Sequence, residues 1–206
     1  MTKYRVNLLN DSDAENPADT DEGFRIVSFN RRHSNFQHPE EFGLKVNEHG
    51  DCNFTNSEYA DLAKDGHLFV LGYYEHGQCS WFLKGEGGPG TSCPWDGVSV
   101  AGLLILDRKS FEGTTDDQRA EAARSFLKIY TNWCNGAVYG YSIDKLNDDE
   151  EVEEHVDSCF GFYSSEDLFE AINENFTPEK DDEVEFAGEA SWLSNYHDIK
   201  RKENVA

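Results

Sequence analysis

The chain has 206 residues, of which 41 are Asp or Glu and 18 are Lys or Arg, so its formal charge at neutral pH is −23. This length suits one domain. The charge excludes unaided coating of nucleic acid and disfavours anionic membrane surfaces, because both need clustered cations. Aromatic residues reach 13%, although hydrophobic residues make up only 37%. Disordered chains are poor in aromatics, so the composition predicts a folded core inside an acidic surface.

The sequence carries no targeting or membrane signal. No apolar run approaches the roughly 20 residues that a membrane span needs, and no apolar segment typical of a secretory signal follows the N-terminus. The five cysteines are an odd number. In a chain without a signal they indicate reduced thiols, not a disulfide framework. We therefore expect a cytoplasmic protein.

Alternating apolar segments predict a chain rich in strands. In chain order, strands are predicted at Tyr4–Leu9, Phe24–Phe29, Leu68–Tyr74, Cys79–Leu83, Val98–Leu106, Ala137–Ile143 and Glu151–Phe162. The third and fourth form the clearest hairpin, because Gly77 allows the positive φ of a tight turn. The fifth is the most apolar and is predicted to lie centrally. Residues 10–23 are predicted to be an acidic loop.

Two helices are predicted in the second half of the chain. Thr115 and Gln118 form a capping box at the start of Thr115–Trp133, and Ser164 caps Glu166–Phe176. Their predicted apolar stripes are Ala122, Phe126, Ile129, Tyr130 and Trp133 in the first, and Leu168, Phe169, Ile172 and Phe176 in the second. Residues 177–206 are predicted to be an acidic segment and a C-terminal tail. The fold class is therefore α+β: a single domain over residues 1–206, with a mostly antiparallel sheet and two main helices packed on it.

Two His-x-x-Cys pairs raise a metal hypothesis. His49 with Cys52 and His76 with Cys79 would offer two imidazoles and two thiolates, which suit Zn²⁺. The alternative, which we favour, is that each histidine is exposed at a turn and each cysteine packs as a small hydrophobe. We therefore expect no metal and no other cofactor.

A nucleophile hypothesis rests on the loop Cys93-Pro94-Trp95-Asp96. His76 would activate the Cys93 thiol, and Asp96 would orient the imidazole. Reactive thiols favour an electropositive setting, which such an acidic chain does not offer. The alternative is a structural loop in which Trp95 fills the core.

The runs of acidic residues are the remaining sequence feature that indicates a function. The candidate partner-binding residues are Asp148, Asp149, Glu150, Glu151, Glu153 and Glu154, followed by Glu166, Glu170 and Glu174 on one ridge of the second helix. Like charges at i, i+4 destabilise a helix, which favours a role for this ridge in binding a partner. A solvated face and adaptation to a salty cytoplasm are the alternatives. A fixed array of carboxylates can present a DNA-like field to a basic groove.

Several short motifs together resemble a known family. They are Arg31-Arg32-His33, Tyr74-Glu75-His76-Gly77, Cys93-Pro94-Trp95-Asp96, Gly136-Ala137-Val138-Tyr139-Gly140-Tyr141 and Asp157-Ser158-Cys159-Phe160-Gly161-Phe162-Tyr163. In this order, from about Gly23 to Tyr163, they resemble a family of small uncharacterised proteins of tailed phages and related mobile elements. The family has Trp where this chain has Phe160, and Ser-Gly-Gln where it has Gly97-Val98-Ser99. The resemblance implies a viral origin and adds Cys159 to His76, Cys93 and Asp96 as candidate catalytic residues.

These observations favour a non-enzymatic, phage-encoded host-interaction protein in the cytoplasm of the infected cell. It would act as a DNA mimic that inhibits a host defence enzyme or another nucleic-acid-binding enzyme. The expected partner is a basic host protein with a nucleic-acid-binding groove; direct binding of nucleic acid or membrane is not expected. The alternatives are a metal- or thiol-dependent enzyme and a virion-associated structural protein. The oligomeric state stays open.

Overall fold

The computed structural model describes residues 1–47, 52, 61, 64, 66–86 and 96–202. Within these ranges, eight strands form two four-stranded sheets, and three α-helices accompany them. The α+β class with two main helices is confirmed. The chain divides into unit 1, residues 1–15 and 136–206, and unit 2, residues 16–135. The expectation of a single domain stays a prediction. No helix among the described residues has the length and apolar character needed to cross a membrane.

Unit 2 contains an antiparallel sheet. Its described elements are α1 (Pro17–Thr20), β2 (Phe24–Ser28), a 3₁₀ turn (Pro39–Phe42), β3 (Leu68–His76), β4 (Gln78–Leu83), β5 (Gly97–Leu106) and α2 (Asp116–Cys134). The strand order is β2-β5-β3-β4. The apolar β5 is therefore an inner strand, as predicted, and β3 and β4 form the predicted hairpin around Gly77, whose φ is +77°. The loop predicted at residues 10–23 includes the short α1, which Asn16 caps.

The helix α2 begins as the sequence predicts but buries a slightly different face. The Thr115 side chain accepts from the Gln118 N–H, and the capping box is complete. The predicted stripe is partly wrong, because Ile129 is 38% exposed; the buried residues are Arg119, Ala123, Phe126, Leu127 and Tyr130. Because Arg119 is buried, the buried face of α2 lies on a slightly different side of the helix from the predicted apolar stripe. Its guanidinium can lie inside because it donates to the Gly66 and Thr114 carbonyls and to the Asp116 carboxylate.

Unit 1 contains the second sheet. Its elements are β1 (Lys3–Asn10), β6 (Tyr139–Leu146), β7 (Val152–Phe162), α3 (Ser165–Asn175), β8 (Glu183–Ala187) and a 3₁₀ turn (Ser191–Asn195). The strand order is β7-β6-β1-β8, and β8 pairs with β1 in parallel. Ser164 caps α3, as predicted. The predicted stripe is confirmed as well: Leu168, Phe169, Ile172 and Phe176 are all buried, in a core that includes the inward-facing residues of β1 and β6.

The C-terminal segment is more ordered than an acidic tail, because it supplies β8 and the buried Leu193. Its other two large aromatic side chains, Trp192 and Tyr196, do not pack inward, since they are 51% and 74% exposed. Phe160 on β7 is also half exposed. Its ring lies across the outer strand pair, where a Cβ on Gly140 would collide with it.

Candidate functional site

Negative charge is distributed unevenly between the two units. Unit 1 carries 23 acidic and 7 basic residues, a formal charge of −16. Unit 2 is the longer unit, yet it carries 18 acidic and 11 basic residues, a formal charge of −7. The acidic character of the chain is therefore concentrated in unit 1, which also holds all nine candidate partner-binding residues.

The turn between β6 and β7 presents four of these residues in a fixed arrangement. The Asn147 side chain accepts from the N–H groups of Asp149 and Glu151, at 2.9 and 3.0 Å. Asp148, Asp149, Glu150 and Glu151 are all exposed around it. Glu150 has a φ of +64°, a conformation that costs a non-glycine residue about 1 kcal/mol. Its carboxylate is 2.7 Å from the Lys3 ammonium, whose hydrogen bond lowers the pKa of Glu150.

The strand β7 continues the acidic surface along one edge of the sheet. Among the described strands it pairs with β6 alone. Glu153 forms an ion pair with Lys145 at 2.8 Å, whereas the exposed Glu154 forms no ion pair within the described ranges. This edge therefore exposes backbone polar groups beside carboxylates, which is a surface that other chains can pair with.

The helix α3 adds the remaining three candidates. Glu166, Glu170 and Glu174 are exposed, and the helical rise places consecutive members about 6 Å apart along the axis. The opposite side of α3 is buried in the unit 1 core. Packing therefore fixes the direction in which the ridge projects, although the like charges are unfavourable for an isolated helix.

A polar network that sequence reasoning missed covers the face of the unit 1 sheet opposite α3. His155 Nδ1 is 3.0 Å from an Asp144 oxygen, and His155 Nε2 is 3.3 Å from Ser158 Oγ. The second Asp144 oxygen accepts from the Asn7 side chain at 3.1 Å. The network links β7, β6 and β1, and so holds the acidic edge strand in register. Its members come from three separate stretches of sequence, so no local sequence motif predicts the network.

Two of the four candidate catalytic residues, His76 and Asp96, are neighbours in unit 2. His76 Nδ1 is 3.3 Å from an Asp96 carboxylate oxygen, the orientation that the nucleophile hypothesis requires. The imidazole is 75% exposed at the hairpin end. Cys93 lies outside the described residues. Cys159 is exposed on β7 of unit 1, whereas His76 and Asp96 belong to unit 2. A catalytic role for this set stays a prediction.

The metal candidates have different surroundings. Cys52 is buried in an apolar cluster with Val27 and Leu44, while the His76 side chain points to solvent. Cys79 pairs across the hairpin with Glu75. His49 lies outside the described residues, and within the described ranges no three His, Cys, Asp or Glu side chains are placed to hold a metal ion.

A pocket in unit 2 brings two thiols together that sequence reasoning left separate. Cys79 on β4 and Cys134 at the end of α2 line a cavity of about 340 Å³. The Asn135 side chain donates to the Cys79 carbonyl and accepts from its N–H, at 2.9 and 2.8 Å, so the helix end is fixed against the strand. The interaction between the two thiols lowers the pKa of Cys79 and raises that of Cys134.

Mild oxidation with the diazene oxidant diamide is expected to join Cys79 to Cys134. Each thiol gives up one proton and one electron to the diamide, and one intramolecular disulfide forms. Closing a loop of about 55 residues stabilises the fold by about 4 kcal/mol in the chain-entropy model. Mass spectrometry should locate the bond in a Cys79–Cys134 peptide pair, and the melting temperature should rise.

The matched variants for that test are Cys134→Ser and Cys159→Ser. Cys134→Ser should abolish both the peptide pair and the rise in melting temperature, while Cys159→Ser should change neither. A disulfide that maps to another pair of cysteines, or full retention of both thiols, would contradict the placement.

A scan against protein-family models gave no match for this chain, and searches of curated proteins and of solved structures gave none either. The resemblance to the phage family therefore stays a prediction.

Proposed function

We propose that the chain binds a basic, nucleic-acid-binding surface of another protein through the acidic surface of unit 1, and blocks it. That surface consists of the β6–β7 turn, the β7 edge and the α3 ridge. The observation that carries the proposal is the −16 charge of unit 1 against −7 for the longer unit 2. The resemblance to phage proteins favours a host enzyme, such as a defence nuclease, as the partner.

The magnitude of the field supports this proposal. Duplex DNA carries one charge per about 1.7 Å of axis. The α3 ridge alone, with one carboxylate per about 6 Å, has roughly a quarter of that density. The β6–β7 turn adds four consecutive exposed acidic residues and so raises the density of negative charge. Only Glu150 among them forms an ion pair within the described ranges. Such a field steers a basic partner and speeds association.

Rigidity distinguishes this surface from an acidic tail. The Asn147 side chain holds the turn through two backbone N–H groups, and the buried side of α3 fixes the ridge. A backbone that is already ordered loses little conformational entropy when a partner binds. The unit 1 surface therefore suits a groove of defined shape.

Displacement of proteins from duplex-DNA resin tests the proposal. Host-cell proteins are retained on the resin at low salt, and the resin is then washed with the full chain. We expect the chain to release one protein or a small set, because it competes for their phosphate-binding surfaces. Mass spectrometry of the wash identifies them.

Polyglutamate of matched total charge is the control for nonspecific ion exchange. Release of the same proteins by polyglutamate and by the chain would refute a shaped surface. Release of no protein, with particle proteins as the only binders of the chain in a parallel capture, would favour a structural component of the virion.

A further inference from the structure

The polar network of unit 1 joins an aspartate, a histidine and a serine in the order that activates a serine hydroxyl. An Asp144 oxygen lies 3.0 Å from His155 Nδ1, and His155 Nε2 lies 3.3 Å from Ser158 Oγ. A carboxylate only accepts hydrogen bonds, so Nδ1 carries the ring proton and Nε2 accepts from the serine hydroxyl. The neutral imidazole is therefore oriented to take the serine proton, as the base is in the triads of serine hydrolases.

The Asp144 carboxylate is held so that it fixes the direction of the imidazole. Its side chain is 15% exposed, whereas that of His155 is 54% exposed. The second carboxylate oxygen accepts from the Asn7 side chain at 3.1 Å. Both oxygens are therefore engaged, one by β1 and the other by β7, which leaves the carboxylate little freedom to turn away from the ring.

A bulge in β7 brings His155 and Ser158 to the same face of the sheet. Side chains three positions apart in a regular strand point to opposite faces. On β6, Ile143 pairs with Asp157 and the next residue, Asp144, pairs with His155, so β7 has one extra residue at this point. The shift turns His155 to the side of Ser158. Bulges next to active sites redirect side chains in this way.

Two other histidine–serine contacts in the described part of the chain lack the carboxylate. His197 Nε2 is 3.1 Å from Ser165 Oγ, and His33 Nδ1 is 2.8 Å from Ser28 Oγ. Among the described residues, neither imidazole has a carboxylate within hydrogen-bond distance of its other nitrogen. The complete arrangement is therefore more than a chance contact between a histidine and a serine.

The neighbours of Ser158 suit a carbonyl substrate. Ser142 is its Cα partner on β6, and Ser142 Oγ accepts from the Asn7 side chain at 3.1 Å. The Ser142 hydroxyl proton can then be donated to an oxyanion that forms beside Ser158. Phe160, two residues along the same face, is 51% exposed and lies over Gly140. Its ring offers an apolar surface beside the nucleophile.

We propose that unit 1 hydrolyses uncharged or cationic carboxylic esters, with Ser158 as the nucleophile, His155 as the general base and Asp144 as a positioning residue. The −16 charge of unit 1 repels anionic esters. The Phe160 ring accommodates a short apolar acyl group. This activity does not depend on the binding of a basic partner by the acidic surface.

The reaction passes through an acyl-serine. Ser158 Oγ bonds to the ester carbonyl carbon while its proton passes to His155 Nε2. The bond from that carbon to the alcohol oxygen breaks, and the alcohol leaves with this proton. His155 then takes a proton from water, whose oxygen bonds to the acyl carbon. The carboxylic acid is released, and the proton on His155 returns to Ser158 Oγ.

A biotin-linked fluorophosphonate tests the nucleophile, because its phosphorus bonds to activated serine hydroxyls with loss of fluoride. We expect peptide mass spectrometry of the full chain to locate the probe on Ser158. His155→Gln should slow this labelling at least about a hundredfold, and Ser158→Ala should abolish it. Ser165→Ala, at a serine with an imidazole but no carboxylate, should change nothing. No label on Ser158, or equal labelling of Ser158 and Ser165, would overturn the proposal.

Asp144→Asn tests the positioning role. The amide keeps the shape of the side chain but donates to Nδ1, which moves the ring proton to Nε2 and removes the acceptor for the Ser158 hydroxyl. At alkaline pH, the ring nitrogen resonances of His155 should show the proton on Nδ1 in the unchanged chain and on Nε2 in the variant. Labelling of Ser158 should slow at least about tenfold in a variant that thermal unfolding shows to be folded. The same tautomer in both chains would contradict the role of Asp144.

Hydrolysis of two p-nitrophenyl esters tests the substrate class. The full chain should hydrolyse the uncharged butyrate ester, and Ser158→Ala should lower this rate at least about tenfold. The anionic hemisuccinate ester should react at least about threefold more slowly than the butyrate, because unit 1 repels it. Equal rates for the two esters would contradict the selection by charge. A butyrate rate that is unchanged in Ser158→Ala would overturn the proposed activity.

Discussion

Neutralising four carboxylates of unit 1 is expected to weaken binding of the partner at least about tenfold near 50 mM salt. The variant combines Asp148→Asn, Asp149→Asn, Glu151→Gln and Glu154→Gln. None of these four side chains forms an ion pair within the described ranges, so their removal costs the fold little. The measurement is the affinity for a protein that the chain releases from DNA resin, determined by calorimetry.

A second variant with the same number of changes controls for net charge. It combines Glu22→Gln, Glu40→Gln, Glu41→Gln and Glu112→Gln, which are all exposed on unit 2. We expect it to lose less than a third of the binding free energy that the unit 1 variant loses. Equal losses in the two variants would mean that the partner responds to total charge, which would contradict a defined unit 1 surface.

The substitution Gly102→Ala is expected to destabilise the chain by about 3 kcal/mol. Gly102 lies in β5, between β2 and β3, and a Cβ there would be 2.1 Å from the Val27 carbonyl oxygen. Backbone cannot rotate away as a side chain can, so the two strands must separate. Chemical denaturation with urea should show a lower midpoint at an unchanged slope.

Gly77→Ala is the matched control for the lost glycine flexibility. Gly77 has a φ of +77°, and nothing lies within 4 Å of an added Cβ, so only backbone strain of about 1 kcal/mol is expected. A smaller loss of stability in Gly102→Ala than in Gly77→Ala would contradict the close approach of β2 and β5.

Features set by neighbouring residues could be predicted from the sequence. The capping box at Thr115, the turn at Gly77 and the buried stripe of α3 are confirmed, because each depends on residues only a few positions apart. The stripe of α2 was predicted less well. Its burial of Arg119 depends on a carbonyl acceptor at Gly66, far away in sequence, which helical periodicity cannot reveal.

Features that depend on long-range pairing could not be predicted. The strand β8 has the alternation Glu183-Val184-Glu185-Phe186, but five residues within an acidic run are also typical of a linker. Only its pairing with the distant β1 makes this segment a strand. The division into two sheets follows from such pairings. The pocket could not be predicted for the same reason, since Cys79 and Cys134 lie close together only because α2 packs on β4.

The candidate partner-binding residues were easier to find because charge is a local property. All nine are exposed, as their block pattern indicates. The sequence could not reveal that Asn147 orders the turn, or that the network around His155 holds β7 to its neighbours. Both depend on side-chain contacts that form only after the strands pair.

Displacement of a fluorescent DNA duplex from the identified partner tests the central claim most directly. Binding of the chain to a nucleic-acid groove predicts complete displacement with competitive behaviour, so the apparent duplex affinity falls in proportion to added chain. Raising the salt from about 50 to about 200 mM should weaken the chain's own binding steeply. A stable complex that contains partner, duplex and chain together, or binding that is indifferent to salt, would contradict it.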